Sequence, residues 1–210
     1  MRDLRFGTWQ NGAVLRSPAL FAAIALIAQA SAAEPGPRTV VYVARHAEKA
    51  SDPRRNPGLT RPGVERAAAL AGALAGAELT GIITSQFART KATAAPVAKA
   101  TGLEPVVIRY RPGDFEAHGQ AVAAAIRDRF PGGSVLVVGH SDTVPWIILA
   151  LGGPAMEPLC EPTEYASLFE LVVEADTPTR MKRSSYGVPD PPLPPECRLA
   201  PPPNQRTRTH

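Results

Sequence analysis

The chain has 210 residues, of which 44% are hydrophobic, 20% charged and 6% aromatic. These proportions suit one soluble globular domain and exclude a fibre, a coiled coil or a wholly disordered chain. The formal net charge of +4 is spread with both signs interspersed and no block of five like charges, so no nucleic-acid partner is expected.

The first segment in chain order reads as an address. Arg2, Arg5 and Arg16 precede an apolar run over residues 19–28, and Ala30-Ser31-Ala32-Ala33 follows at once. The run holds about ten residues, whereas a membrane-spanning helix needs roughly 20. A charged front, an apolar middle and small residues behind predict a cleaved secretory signal peptide over residues 1–33, cut after Ala32 or Ala33. The mature protein is then expected to be periplasmic or secreted, without stable membrane insertion.

From residue 38 onward, short β-branched runs alternate with longer helical stretches. Residues 39–44 are an apolar run of the kind found in buried parallel strands. A helix follows, capped by Thr60, with Pro62 in its first turn and Leu59 placed to pack on Val64, running to about residue 77. Residues 81–84 form the second strand. The next helix covers residues 85–100, where Pro96 is expected to kink or divide it. A third strand is expected at 106–110, a helix at 116–130, a fourth strand at 135–138 and a helix at 143–151, stopped by Gly152-Gly153-Pro154. Residues 165–174 and 181–186 read as two further strands across a turn at Asp176-Thr177-Pro178. This alternation predicts an α/β fold: a three-layer sandwich with a mainly parallel central sheet, helices on both faces and an edge hairpin. The domain is expected over 38–187, with 188–210 a Pro-rich tail, extended or disordered.

Cys160 and Cys197 are the only two cysteines. An even pair in an oxidising compartment tends to bond, and a bridge between them would stabilise by roughly 4 kcal/mol while tethering the tail. The alternative is two unrelated thiols. They have no His or Asp cluster beside them, so no metal site is expected.

Ligands of open α/β sheets gather at the carboxyl ends of the strands. There the sequence places Arg45-His46-Ala47-Glu48 after the first strand, Ser85 and Arg89 after the second, and Gly139-His140-Ser141-Asp142 after the fourth. The helix after Ser85 has Arg89 and Lys91 in its first turns and no acidic residue. Its positive end therefore lacks the usual partner, and a phosphate would supply one.

Taken together, Arg45-His46-Ala47-Glu48, Leu59-Thr60 through Arg66-Ala67, Ser85 through Thr93 and Gly139-His140-Ser141 resemble the histidine phosphatase superfamily, also called phosphoglycerate mutase-like, over residues 39–187. Ala47 stands where the family usually has Gly, a departure that resembles its exported bacterial branch. The resemblance implies that His46 is a nucleophile forming a phosphohistidine. It implies that Arg45, Arg89 and His140 bind the phosphoryl oxygens, and that no metal or cofactor is needed. The implied substrate is a small phosphorylated compound.

The proton donor is open between Glu116 and Asp142. Asp114 and Glu116 also suit a helix cap and a first-turn dipole partner, settings that lower a carboxyl pKa. Ser85 and Thr60 read as caps, and Glu48 as a surface partner of Lys49 or Arg66. Arg54 and Arg55 either face the pocket mouth or are simply solvated. The expected activity is an exported phosphatase. Its rivals are a mutase that passes the phosphoryl group between two hydroxyls, and a phosphate-binding module without turnover.

Overall fold

This computed structural model describes residues 37–198. The expected signal peptide and the end of the tail lie outside the described residues. In chain order the elements are β1 (Thr39–Arg45), α1 (Arg61–Ala73), β2 (Gly81–Thr84), α2 (Ala88–Thr101), β3 (Val106–Val107), α3 (Phe115–Arg129), β4 (Ser134–Gly139), α4 (Thr143–Ala150), β5 (Ser167–Glu174) and β6 (Thr177–Ser185). The strands make one sheet in the order β3-β2-β4-β1-β5-β6. β3, β2, β4 and β1 run parallel, and β5 and β6 are antiparallel at one edge.

Successive residues of β4 point into different cores, as strand geometry requires. Val135 and Val137 join Val41, Val43 and Phe169 beneath Val122 and Ile126 of α3 and Val144, Ile147 and Ile148 of α4. Leu136 and Val138 join Ala44 and Ile82 beneath Leu70 of α1 and Ala94 and Val97 of α2. Two helices on each face complete the three-layer α/β sandwich. None of the described helices is long and apolar enough to cross a membrane.

Thr60 caps α1, its hydroxyl accepting the Gly63 N–H at 3.1 Å. Val64 is 57% exposed rather than packed as a staple, and the regular helix ends at Ala73, short of residue 77. Gly63 lies against the loop after β1: a Cβ there would sit 2.4 Å from the Glu48 carbonyl oxygen. Because that neighbour is backbone, Gly63→Ala is expected to cost about 1–3 kcal/mol, read as a lower midpoint in urea unfolding with an unchanged slope.

Three local expectations meet a different outcome. Pro96 does not divide α2, which continues to Thr101 and ends at Gly102 in the left-handed region, φ 72°. Burial of Thr93, Ala94 and Val97 against the sheet outweighs one missing ladder bond. The hairpin turn falls at Ala175-Asp176, which places Pro178 inside β6. That position lies at a register shift on an edge strand, where a missing N–H is tolerated.

The third difference shapes the site. β3 is only two residues long, because residues beyond it are captured by a side chain instead of a strand. Gln86 donates to the Tyr110 carbonyl at 2.7 Å and accepts the Tyr110 N–H at 2.8 Å, turning Tyr110 toward the ends of β2 and β4.

The chain after β6 runs back over the body. Asp190 accepts the backbone N–H groups of Tyr165 and Ala166, and Cys197 is disulfide-bonded to Cys160, with Cα atoms 5.6 Å apart.

Candidate active site

β2, β4 and β1 are adjacent and parallel, so their carboxyl ends open on one rim. Arg45 pairs with Gly139 and Thr84 with Val138, and the His46 N–H continues the ladder to the Gly139 carbonyl at 2.9 Å. This register sets the imidazoles of His46 and His140 edge to face, with ring centroids 5.3 Å apart. Both are almost wholly buried.

His46 Nδ1 lies 2.8 Å from the carbonyl oxygen of Ala47. That oxygen can only accept, so Nδ1 carries the proton and Nε2 keeps its lone pair. Burial pushes the His46 pKa down to about 3. The Ala47 carbonyl opposes this, while Arg45, Arg89 and Lys49 reinforce it. The ring is therefore neutral at any ordinary pH. Thr93 secures the loop: its hydroxyl accepts the Ala47 N–H at 2.9 Å and donates to the Arg89 carbonyl at 2.8 Å.

Arg45 is 1% exposed. Its Nη1 donates to the carbonyls of Cys160 and Glu164 at 3.0 Å each, and its Nη2 to that of Glu161 at 2.7 Å. The guanidinium also stacks on Tyr165, 3.9 Å from the ring centroid. Arg89, in the first turn of α2, lies over Phe87 at 4.4 Å. Burial draws both guanidinium pKa values down, yet such groups remain cations in proteins.

His140 Nε2 is 2.9 Å from Ser85 Oγ. Burial, reinforced by His46, Arg89, His118 and Arg45, pushes the His140 pKa down to about 2, so this ring is also neutral. Arg45 Nε, Arg89 Nε and His140 Nδ1 are buried with no partner within the protein. Unpaired buried polar atoms are costly, and an oxyanion held there would supply acceptors to the two guanidinium Nε–H groups.

The two proton-donor candidates separate. Asp142 precedes α4 and makes no side-chain cap bond; its Oδ2 accepts the Tyr110 hydroxyl at 2.8 Å, and its Oδ1 is buried and unpaired. Tyr110 in turn packs on His140, with centroids 5.1 Å apart. Glu116 is exposed in the first turn of α3 and has no hydrogen bond or ion pair to these residues.

Glu48 pairs with Arg66 rather than Lys49, and the pair is sheltered rather than superficial. Arg66 donates to Glu48 Oε1 at 2.9 Å and to the carbonyls of Tyr186 and Val188. Lys49 instead pairs with Glu161. Arg54 and Arg55 are exposed. Their loop is fixed where Asn56 Oδ1 accepts the Ala88 N–H at 2.7 Å, at the start of α2 beside Arg89.

Sequence reading missed Ser85 as a histidine partner, Tyr110, Tyr165 and the buried His118. Only Ser85 carried a signal, its place directly after β2. Among the described residues no three His, Cys, Asp or Glu side chains gather as a metal would require.

The buried imidazoles make stability depend on pH. In the unfolded chain histidine titrates near 6.5, whereas burial lowers the pKa of His46, His140 and His118 in the fold. Stability is therefore fully present above pH 6.5 and is lost as pH falls from there toward the folded values. His46 and His140 are each expected to withdraw about 2 kcal/mol between pH 6.5 and pH 5, seen as a falling thermal midpoint over that interval.

The rim of the parallel sheet thus bears a neutral, tautomer-fixed histidine that feels the charge of two guanidinium groups, an arrangement suited to an oxyanion. The family model of the histidine phosphatase superfamily (branch 1) matches residues 41–111, a span that holds Arg45, His46, Ser85 and Arg89. That stretch, about a third of the chain, is what matches the superfamily. Solved structures agree in fold. The protein histidine phosphatase SixA, in complex with tungstate, superposes with a TM-score of 0.54 at 21% identity over 70% of this chain and 96% of its own. A mycobacterial glucosyl-3-phosphoglycerate phosphatase does so with a TM-score of 0.54 at 16% identity, covering 71% of this chain and 98% of its own. A comparison with curated proteins finds no match.

Proposed function

We propose that the protein is an exported phosphatase that hydrolyses small phosphomonoesters or related phosphorylated compounds through a phosphohistidine on His46. The observation that carries this reading is the Ala47 carbonyl on His46 Nδ1 at 2.8 Å, which leaves Nε2 unprotonated in a ring that lies 5.3 Å from His140 and feels the charges of Arg45 and Arg89.

In the first step the Nε2 lone pair bonds to phosphorus as the bond from phosphorus to the leaving oxygen breaks, and Asp142 gives that oxygen its proton. In the second, water attacks phosphorus, Asp142 takes a proton from the water, and the N–P bond returns its electrons to Nε2. Arg45, Arg89 and the His140 ring offset the charge that builds on the equatorial oxygens. Asp142 is preferred to Glu116 because only Asp142 is held beside His140, through Tyr110.

The charged, apolar and small-residue pattern of residues 1–33 and the Cys160–Cys197 bridge support export. Export favours hydrolysis over phosphoryl isomerisation, since water is the abundant acceptor outside the cytoplasm. The test is release of inorganic phosphate from an aryl phosphate, whose leaving group scarcely needs a proton. Isomerised product without phosphate would point to a mutase, and orthovanadate binding without turnover to a binding module.

A further inference from the structure

Ser85 holds a place that helix capping does not explain. Its Oγ is 3.4 Å from the Phe87 N–H, a weak cap, but 2.9 Å from His140 Nε2 and 2.9 Å from Thr90 Oγ1. All three side chains are buried away from water, so their few protons must satisfy one another. Thr90 has two carbonyls in reach, Phe87 O at 2.9 Å and Ser85 O at 3.2 Å.

Ser85 carries a single hydroxyl proton and has two places to put it. If it donates to Thr90, then His140 Nε2 must carry the ring proton and donate to Ser85, which leaves Nδ1 a bare lone pair. If it donates to His140 Nε2, the ring proton sits on Nδ1, and Thr90 gives its own proton to Ser85 Oγ, which the 2.9 Å contact between the two hydroxyls requires. Nε2 is occupied by Ser85 either way, so Nδ1, buried and unpaired in the protein, is the one polar atom of the ring left to meet a phosphoryl oxygen. A lone pair facing that oxygen repels it; an N–H makes a charge-assisted bond.

We propose that Ser85 is a positioning residue: its hydroxyl donates to His140 Nε2, holds His140 as the Nδ1–H tautomer, and so makes Nδ1–H the donor to the phosphoryl group, with Thr90 backing Ser85. The inference rests on the phosphoryl-transfer reading of the site. It assigns a proton, not merely a contact, to the second histidine.

The test uses the mature protein labelled with ¹⁵N in its histidine rings. Two-bond ¹⁵N–¹H correlations distinguish the two neutral tautomers, and a His140→Gln variant identifies the His140 signals. With orthovanadate or inorganic phosphate at saturation, His140 is expected as Nδ1–H. In Ser85→Ala the Nδ1–H form is expected to give way, and kcat for an aryl phosphate to fall about 10- to 100-fold with a smaller change in KM. Ser85→Thr, which keeps the hydroxyl, is expected to restore both.

His140 found as Nε2–H in the anion-bound parent protein overturns the inference. So does a Ser85→Ala protein that keeps the tautomer and loses only stability, since a purely structural role predicts that result. If neither anion perturbs any histidine signal and no aryl phosphate is hydrolysed, the phosphatase reading itself fails and carries this inference with it.

Discussion

His46→Ala is expected to bring phosphate release from an aryl phosphate down to background, a loss on the order of 10⁴-fold in kcat. The substitution removes the lone pair that the proposed mechanism uses, and among the described side chains of the site the other candidates are engaged. Asp142 is engaged by Tyr110, and His140 Nε2 by Ser85. The fold should survive, because the ladder bond at this position uses the backbone N–H to Gly139 and the removed ring was a neutral group. Orthovanadate should therefore still bind, through Arg45, Arg89 and His140, which separates loss of chemistry from loss of the pocket. A variant that turns over as fast as its parent would refute covalent catalysis by His46.

The second large effect concerns Arg45. Arg45→Ala should lose activity by at least about 10²-fold and stability by about 3–5 kcal/mol. The side chain binds three carbonyls between Cys160 and Glu164 while covering Tyr165, so truncation strands buried acceptors as well as removing the cation that the proposed mechanism sets on the phosphoryl oxygens. Arg45→Lys is expected to recover little of either. An ammonium group has the charge but neither the planar fork that serves three carbonyls nor the flat face that stacks on Tyr165. Unfolding midpoints and kcat/KM measured on the same preparations check both halves. A lysine variant close to the parent would mean that charge alone matters at this position.

Much of the scaffold was legible because it depends on local pattern. Residues 135–138 are apolar without alternation, as a strand covered on both faces must be, and Thr60 with Pro62 marks the start of α1 by chemistry confined to one turn. The gathering of Arg45, His46, Arg89 and His140 on one rim was legible for a related reason: each ends or directly follows a parallel strand or opens the helix after one, so sheet topology alone brings them together. What escaped was set by contacts between distant segments. Tyr110 reaches the site only because Gln86 takes its backbone out of β3. Nothing near Tyr165 announces that it will lie under Arg45, 120 residues away in the chain. Glu116 and Asp142 were equal on paper, since both sit at helix starts, and only the packing of Tyr110 on His140 tells them apart. Ser85 was legible in position but not in role, because a serine before a helix is ordinarily a cap.

Cys160 lends its carbonyl to Arg45 and its sulfur to Cys197, which joins a residue of the first strand to a segment synthesised after the last strand of the sheet. The loop that grips Arg45 is therefore fastened a second time only after Cys197 has been made and an oxidant has closed the bridge. A polypeptide cut before Cys197 lacks that second fastening of the loop beneath Arg45.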